Sequence, residues 1–261
     1  MKIIILCGGQ GTRLREETEY KPKPMVEIGG KPILWHIMKI YSYYGYNEFV
    51  LALGYKGNVI RDYFLNYFYY NNDCTVDLGN MENIIIYGNH SERNWKVTLV
   101  DTGPDSMTGY RTKLCSKYIN EDRFMLTYGD AVADIEIDKL VEFHINQNTI
   151  GTVTGVYPPS RFGDLQIEGD LVKRFKEKLD DTTEKLPING GFFVFKKEFL
   201  DLIPDDKKCD LERLPMDKLV EKNQLSVYRH KGFWQCMDTY RDYQLLNELW
   251  IYNPVWKKWS V

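Results

Sequence analysis

The sequence predicts an α/β fold in which a mainly parallel, doubly wound sheet is flanked by helices and followed by a smaller, mixed, β-rich lobe. Two patterns carry this expectation. Over the first 150 residues short apolar runs alternate with stretches of helical periodicity, as strands separated by helices do. From about residue 150 the texture changes to short β-rich pieces split by Gly, Pro and Asp turns.

The elements follow in order. Residues 2–6, KIIIL, read as a first buried strand. Ile33, Ile37, Ile40, Tyr41 and Tyr44 recur at helical spacing, which predicts a helix ahead of a second strand over residues 48–53. Val59, Ile60, Tyr63, Phe64, Tyr67 and Phe68 repeat the helical pattern, and 96–100 and 124–128 read as further buried strands. Ligands gather beyond the carboxyl ends of the strands in such a sheet, so the loops after residues 6, 100 and 128 are expected on one rim. Beyond 150, GTVTGVYP, GDLQIEGDLVKRF and INGGFFVF read as strands of the mixed lobe, and DLERLPMDKLVEKN and TYRDYQLLNELWIY as helices. The charged turn from Lys178 to Lys185 is the one linker-like stretch. One unit with two parts, 1–150 and 151–261, is expected.

Composition narrows the function. At 261 residues, 43% hydrophobic and 14% aromatic, the chain can bury a large core. A net charge of −3 argues against nucleic acid, whose phosphates are held by a basic field. The apolar runs are strand-sized and no cationic start leads into a cleavable apolar segment, so no membrane partner and a cytoplasmic location are expected. Cys7, Cys74, Cys115, Cys209 and Cys236 are scattered, without C-x-x-C or Cys/His spacing. Reduced thiols filling small core positions are expected of them. The histidines His36, His90, His144 and His230 lie beside no plausible Ser or Cys nucleophile.

The chemistry starts where the first strand ends. Gly8, Gly9 and Gly11 leave a backbone bare enough for its N–H groups to approach a polyphosphate. Their spacing, G-G-x-G-T-R, is neither the dinucleotide nor the Walker pattern, and a purely structural turn is the alternative. Arg13 offers a planar fork for phosphate oxygens. Lys21 and Lys23 alternate with Pro22 and Pro24, which predicts a stiff extended segment aiming both cations. Asp130 ends the apolar run FMLTYGD on the expected rim, and Asp238 lies in WQCMDT ahead of a helix. A helix N-cap is the alternative for either carboxylate.

Taken together, L-x-G-G-x-G-T-R-L followed by K-P-K-P-M-V-E-I-G-G-K-P-I-L-W-H-I resembles the signature of the sugar-1-phosphate nucleotidyltransferases. EIGGKPILWHIM, VTLVDTG, SMTGYR, TYGDAVAD, INGGFFVF and GFWQCMDT resemble, more narrowly, its cytidylyl-transferring branch. The resemblance runs from Met1 to about Trp259. It implies a Rossmann-like nucleotidyltransferase fold and a magnesium cofactor. The reaction it implies takes CTP and glucose 1-phosphate to CDP-glucose and pyrophosphate, in a homo-oligomer.

The same resemblance assigns residues. Arg13, Gly11 and Thr12 would hold the leaving phosphates, Lys23 the α-phosphate, and Asp130 and Asp238 the metal. Leu6, Cys7, Gly8, Gly9, Thr102, Gly103, Thr108, Arg111 and Gly129 complete the nucleotide side, with 1–150 as its part of the chain. Glu177 and Lys178 in FKEKL resemble the family's F-x-E-K-P, with Leu179 in place of Pro. Tyr128, Phe162, Gly163, Asn189, Gly190 and Trp234 would line the sugar phosphate, in the 151–261 part or beside it. Taken singly, Phe162 and Trp234 read as core aromatics instead. Base choice is expected from Cys7–Gly9 and Asp101–Arg111; the P-x-G-L-A-Q string usual in thymidylyl enzymes is absent. Arg111 is a candidate donor to the pyrimidine, a surface ion pair being the alternative. Cys7 replaces a common Ala and lies where alkylation could inhibit. Aromatic surplus over 63–70 predicts that Tyr69, Tyr70 and the strands around Asn83–Tyr87 meet a neighbouring subunit, the alternative being rings that close the chain's own core.

Overall fold

A computed structural model describes residues 1–80, 83–88, 91–158, 164–176 and 186–259. Seven strands form the central sheet: β1 (Ile3–Cys7), β2 (Glu48–Leu53), β3 (Lys96–Asp101), β4 (Arg123–Tyr128), β5 (Gly151–Val156), β6 (Ile188–Lys196) and β7 (Leu225–His230). Their order across the sheet is β7-β5-β6-β4-β1-β2-β3. β1 pairs in parallel with both β2 and β4, and β2 with β3. The chain therefore moves outward from β1 on one side and returns to its other side with β4. That reversal makes the carboxyl end of β1 the switch point where such sheets bind ligands.

The mixed region expected after residue 150 is continuous with this sheet. β6 runs antiparallel to β4 and to β5, and β5 pairs in parallel with β7. A hairpin apart, Asp164–Glu168 with Leu171–Lys176, forms its own two-stranded sheet. The change of texture at 150 thus marks the antiparallel entry of β6 rather than an edge of the sheet.

Alternation along each strand divides the core into two layers, as a pleat requires. Ile3, Ile5 and Cys7, with Phe49, Leu51 and Leu53, face one cluster. Ile4 and Leu6, with Val50 and Ala52, face the other. The helix Ile33–Tyr43 starts after Pro32 and covers the first layer with Ile33, Ile37, Ile40 and Tyr41. The helix Thr108–Cys115 covers the second, through Cys115.

Two helical expectations need adjusting. The periodicity over 59–68 divides at Asn66 into helices Gly57–Leu65 and Tyr67–Asn71. Tyr67 is buried and its hydroxyl accepts a bond from Trp35 Nε1 at 3.1 Å, whereas Phe68, Tyr69 and Tyr70 are exposed. The stretch from Asp210 becomes helical only at Leu214, with Pro215 in the first turn, where a missing N–H costs nothing. Cys7, Cys115 and Cys209 are buried as expected, but Cys74 is exposed. No described helix is long and apolar enough to cross a membrane.

Candidate active site

A cleft of about 560 Å³ opens at the carboxyl end of β1. Its floor is the loop after β1, and the glycines there do different work. A side chain on Gly8 would collide with the Arg111 guanidinium, so this glycine makes room for a buried cation. Gly9 has open space around its Cα, leaving its backbone accessible from the cleft. Gly11 has φ +64°, a left-handed conformation that an L side chain resists. The short turn Thr12–Leu14 then carries Arg13 along the cleft.

Lys23 packs beside this loop, its Cβ 3.2 Å from where a side chain on Gly11 would begin. The Lys-Pro-Lys-Pro segment is not fully extended: Pro22 is (φ −70°, ψ 154°), but Lys23–Met25 forms a 3-10 turn. Bonds from Met25 N to Pro22 O at 2.8 Å and from Val26 N to Lys23 O at 3.1 Å close it. Pro24 suits this turn because its fixed φ is pre-set for it. Lys21 points elsewhere and pairs with Glu27 at 3.6 Å.

Asp130 and Asp238, 108 positions apart in sequence, are neighbours in space because their strands pair. Ala131–Ala133 runs antiparallel to Trp234–Cys236, and Met237 N donates to Asp130 O at 2.8 Å. Lys23 Nζ lies between the two carboxylates, donating to Asp130 Oδ2 at 2.7 Å and Asp238 Oδ1 at 2.6 Å. Arg13 Nη1 reaches Asp238 Oδ2 at 3.0 Å, its side chain largely in solvent. Burial raises the Asp238 carboxyl, but the bond and charge of Lys23, helped by Arg13, outweigh it and leave the group below its usual range. The Lys23 ammonium is pulled down by burial and raised more strongly by Asp130 and Asp238, so it stays charged. Neither aspartate caps a helix. Asp130 leads into a strand, and Thr239 is the N-cap of the helix Tyr240–Tyr252.

Two carboxylates facing an open cleft fit magnesium, which takes one or two carboxylates and fills its remaining positions with phosphate oxygens and water. No group of three or more His, Cys, Asp or Glu is placed to hold a metal ion among the described residues. The donor set therefore suits an ion completed by substrate rather than an all-protein cage.

A family model described as nucleotidyl transferase matches residues 2–248. The chain belongs to the nucleotidyl transferase family. A glucose-1-phosphate cytidylyltransferase of Salmonella typhi is 47% identical over 262 residues, covering all of both chains. A probable glucose-1-phosphate cytidylyltransferase of Bacillus subtilis (strain 168) is 44% identical, covering 99% of this chain and 100% of its own. Among solved structures, a putative glucose-1-phosphate thymidylyltransferase from Bacillus anthracis superimposes with a TM-score of 0.69 at 17% identity. It covers 100% of this chain and 98% of its own.

Within this nucleotidyl transferase the cleft gathers most of the expected nucleotide side. Leu6, Cys7, Gly8, Gly9, Gly11, Thr12, Arg13, Lys23, Thr108, Arg111, Gly129, Asp130 and Asp238 all line it. Thr102 and Gly103 do not; they lie beneath it, bonded to Arg111. Arg111 corrects one of the readings made of it. It is buried, and it is no surface ion pair. Its Nη1 donates to Thr102 Oγ1 at 2.5 Å, Gly103 O at 2.7 Å and Leu53 O at 3.3 Å. Its Nη2 donates to Gly8 O and Pro104 O, both at 3.1 Å. With both Nη groups engaged, Arg111 ties the chain after β1, β2 and β3 together at the cleft.

Of the residues expected to line the sugar phosphate, Tyr128 lines the cleft and donates to Glu212, and Asn189 Nδ2 donates to the Tyr128 hydroxyl at 3.3 Å. Trp234 Nε1 donates to Gly190 O at 2.7 Å. Gly163, Glu177 and Lys178, with Phe162, lie outside the described residues. Sequence reasoning missed Glu212 and Asp210, which meet Thr108 Oγ1 at 2.8 and 3.0 Å. The sequence pattern predicts helix from Asp210, and only Pro215 signals the later start at Leu214. Cys7 is fully buried and burial pushes its thiol well above the usual range, so it is no ready target for alkylation.

Proposed function

We propose that the chain transfers a cytidylyl group from CTP to α-D-glucose 1-phosphate, giving CDP-glucose and pyrophosphate. The observation that carries it is the convergence of Lys23, Arg13, Asp130 and Asp238 on one cleft beside the glycine loop. The full-length relatives at 44% and 47% identity supply the choice of base and sugar.

The reaction is an in-line displacement. An oxygen of the sugar phosphate attacks the α-phosphorus of CTP, a new P–O bond forms, and the bond to the bridging oxygen breaks, its electron pair leaving with pyrophosphate. The nucleophile is already an anion at neutral pH, so no general base is needed. The chain must align two anions that repel each other and neutralise the charge that develops. Lys23 meets the α-phosphate, where negative charge grows. Arg13, exposed and extended along the cleft, and the backbone of Gly11 and Thr12 hold the leaving phosphates. Asp130 and Asp238 would hold magnesium, which would supply a positive centre for phosphate oxygens. Tyr128, Asn189, Gly190 and Trp234 orient the sugar phosphate, together with Glu177 and Lys178 by family resemblance. Homo-oligomeric assembly in the cytoplasm completes the reading.

A panel of CTP, UTP, dTTP, ATP and GTP against glucose, mannose and galactose 1-phosphates, read by pyrophosphate release, tests it. CTP with glucose 1-phosphate should give the highest kcat/KM, and a faster turnover of any other pair would overturn the assignment.

A further inference from the structure

We infer that Asp242 is a positioning residue that holds Asp238 in place for metal and phosphate, an inference that rests on the proposed reaction. Asp242 is 7% exposed and is not among the residues that line the cleft. As the third residue of the helix Tyr240–Tyr252 it completes a capping box with Thr239. Thr239 N donates to Asp242 Oδ2 at 2.9 Å, and Asp242 N to Thr239 Oγ1 at 3.3 Å. A helix start requires no more than this pair.

Two further bonds leave the helix. Asp238 N donates to Asp242 Oδ2 at 3.1 Å, and Gln235 Nε2 donates to Asp242 Oδ1 at 3.0 Å. Gln235 lies on the strand that pairs with Ala131–Ala133, opposite Val132. The turn that carries Asp238 is therefore gripped from both ends. Met237 N is held by the Asp130 carbonyl at 2.8 Å, and the next two N–H groups are held by one Asp242 oxygen. With its backbone fixed this way, the Asp238 carboxylate is delivered to Lys23 at 2.6 Å beside Asp130. Releasing the grip leaves the helix capped by Thr239 but frees the turn. A displacement of about 1 Å at such a site costs on the order of 100-fold in rate.

The discriminating variant is Asp242→Glu. Glutamate is the usual third residue of a capping box, so charge and helix cap survive, but the carboxylate sits one methylene further from its own backbone. The variant should unfold cooperatively, with kcat down by about 10- to 100-fold and KM for both substrates changed only a few-fold. Mn²⁺ binding in the presence of CTP, followed by electron paramagnetic resonance, should weaken by about 10- to 100-fold. Asp242→Asn should recover most of both, because its amide oxygen can accept the same N–H groups while Gln235 turns its own amide. Thr239→Ala should lower Tm yet keep kcat. Parent values of kcat and Mn²⁺ affinity in Asp242→Glu, or an equal loss of both in Thr239→Ala, would reduce Asp242 to a helix cap and overturn the inference. If the glutamate variant does not fold, equal turnover in Asp242→Asn and Asp242→Ala overturns it. A parent inactive with CTP and glucose 1-phosphate would sink the proposed substrates, while the Mn²⁺ comparison would still judge Asp242.

Discussion

Lys23 holds two carboxylates in a half-buried site, and most of what single substitutions should do follows from that arrangement. Removing it leaves Asp130 and Asp238 facing each other without their shared counter-charge, and leaves the α-phosphate without a partner when charge develops there. Lys23→Ala is expected to lower kcat by about 100-fold or more with a small change in KM, whereas Lys178→Ala is expected to act mainly on the KM for sugar phosphate. Steady-state kinetics on both variants decides; the reverse pattern would exchange the two roles. Thiol chemistry gives a second residue-level expectation. Cys74 is exposed, while burial lifts the Cys7 thiol far up and the Cys115 thiol to about 12. A stoichiometric maleimide should therefore label Cys74 first with activity retained, as peptide mapping would show. Rapid loss of activity with label on Cys7 would contradict the burial. Arg13, Lys23 and Asp130 were legible in the sequence because each sits beside a local signal, a glycine turn, a proline pair or the end of an apolar run. The pairing of Asp130 with Asp238 was not, since it depends on two short strands meeting across more than a hundred residues.

At the scale of elements, the helix Ile33–Tyr43 carries a titration signature. His36 is fully buried; its Nε2 lies 2.9 Å from Ile28 O, and Trp256 Nε1 donates to its Nδ1 at 3.4 Å. That pattern suits a neutral ring with its proton on Nε2. Burial lowers its pKa from 6.5 to about 4, outweighing the backbone bonds that raise it. Between those two values the unfolded chain binds a proton that the folded chain does not, so stability falls as pH drops from about 6.5 toward 4. Thermal unfolding from pH 7.5 to 4.5 should show this loss, and His36→Gln, though less stable at neutral pH, should show a shallower slope. An unchanged slope would place the acid sensitivity elsewhere. The strands of the parallel half were legible as apolar runs, and the first helix as an i, i+3, i+4 pattern. The break at Asn66 and the late start at Leu214 were not, because periodicity continues across a turn whose backbone alone has changed.

For the whole molecule, the exposed aromatic surface calls for a partner. Phe68 is 50% exposed and Tyr70 65%, and Ile85 and Tyr87 on the neighbouring hairpin are 55% and 53% exposed. Rings that merely closed the chain's own core would be covered, as Tyr67 is. Exposed apolar patches mark interaction sites, so a homo-oligomer at micromolar concentration is expected by light scattering. Tyr69→Ser with Tyr70→Ser should shift it to smaller species, and an unchanged mass would move the interface elsewhere. The fold class was readable from alternation alone; the continuity of the mixed strands with the parallel half was not, since β6 pairs with β4, more than sixty residues earlier. Sheet and cleft together support one claim, cytidylyl transfer at the Lys23, Asp130 and Asp238 cluster. Its most direct test is ³¹P NMR of the parent and of Asp238→Asn with CTP, glucose 1-phosphate and Mg²⁺. The parent should convert the triphosphate signals into those of a pyrophosphate diester and free pyrophosphate, with Asp238→Asn folded and slower by orders of magnitude; equal conversion by both, or none by the parent, would contradict the account.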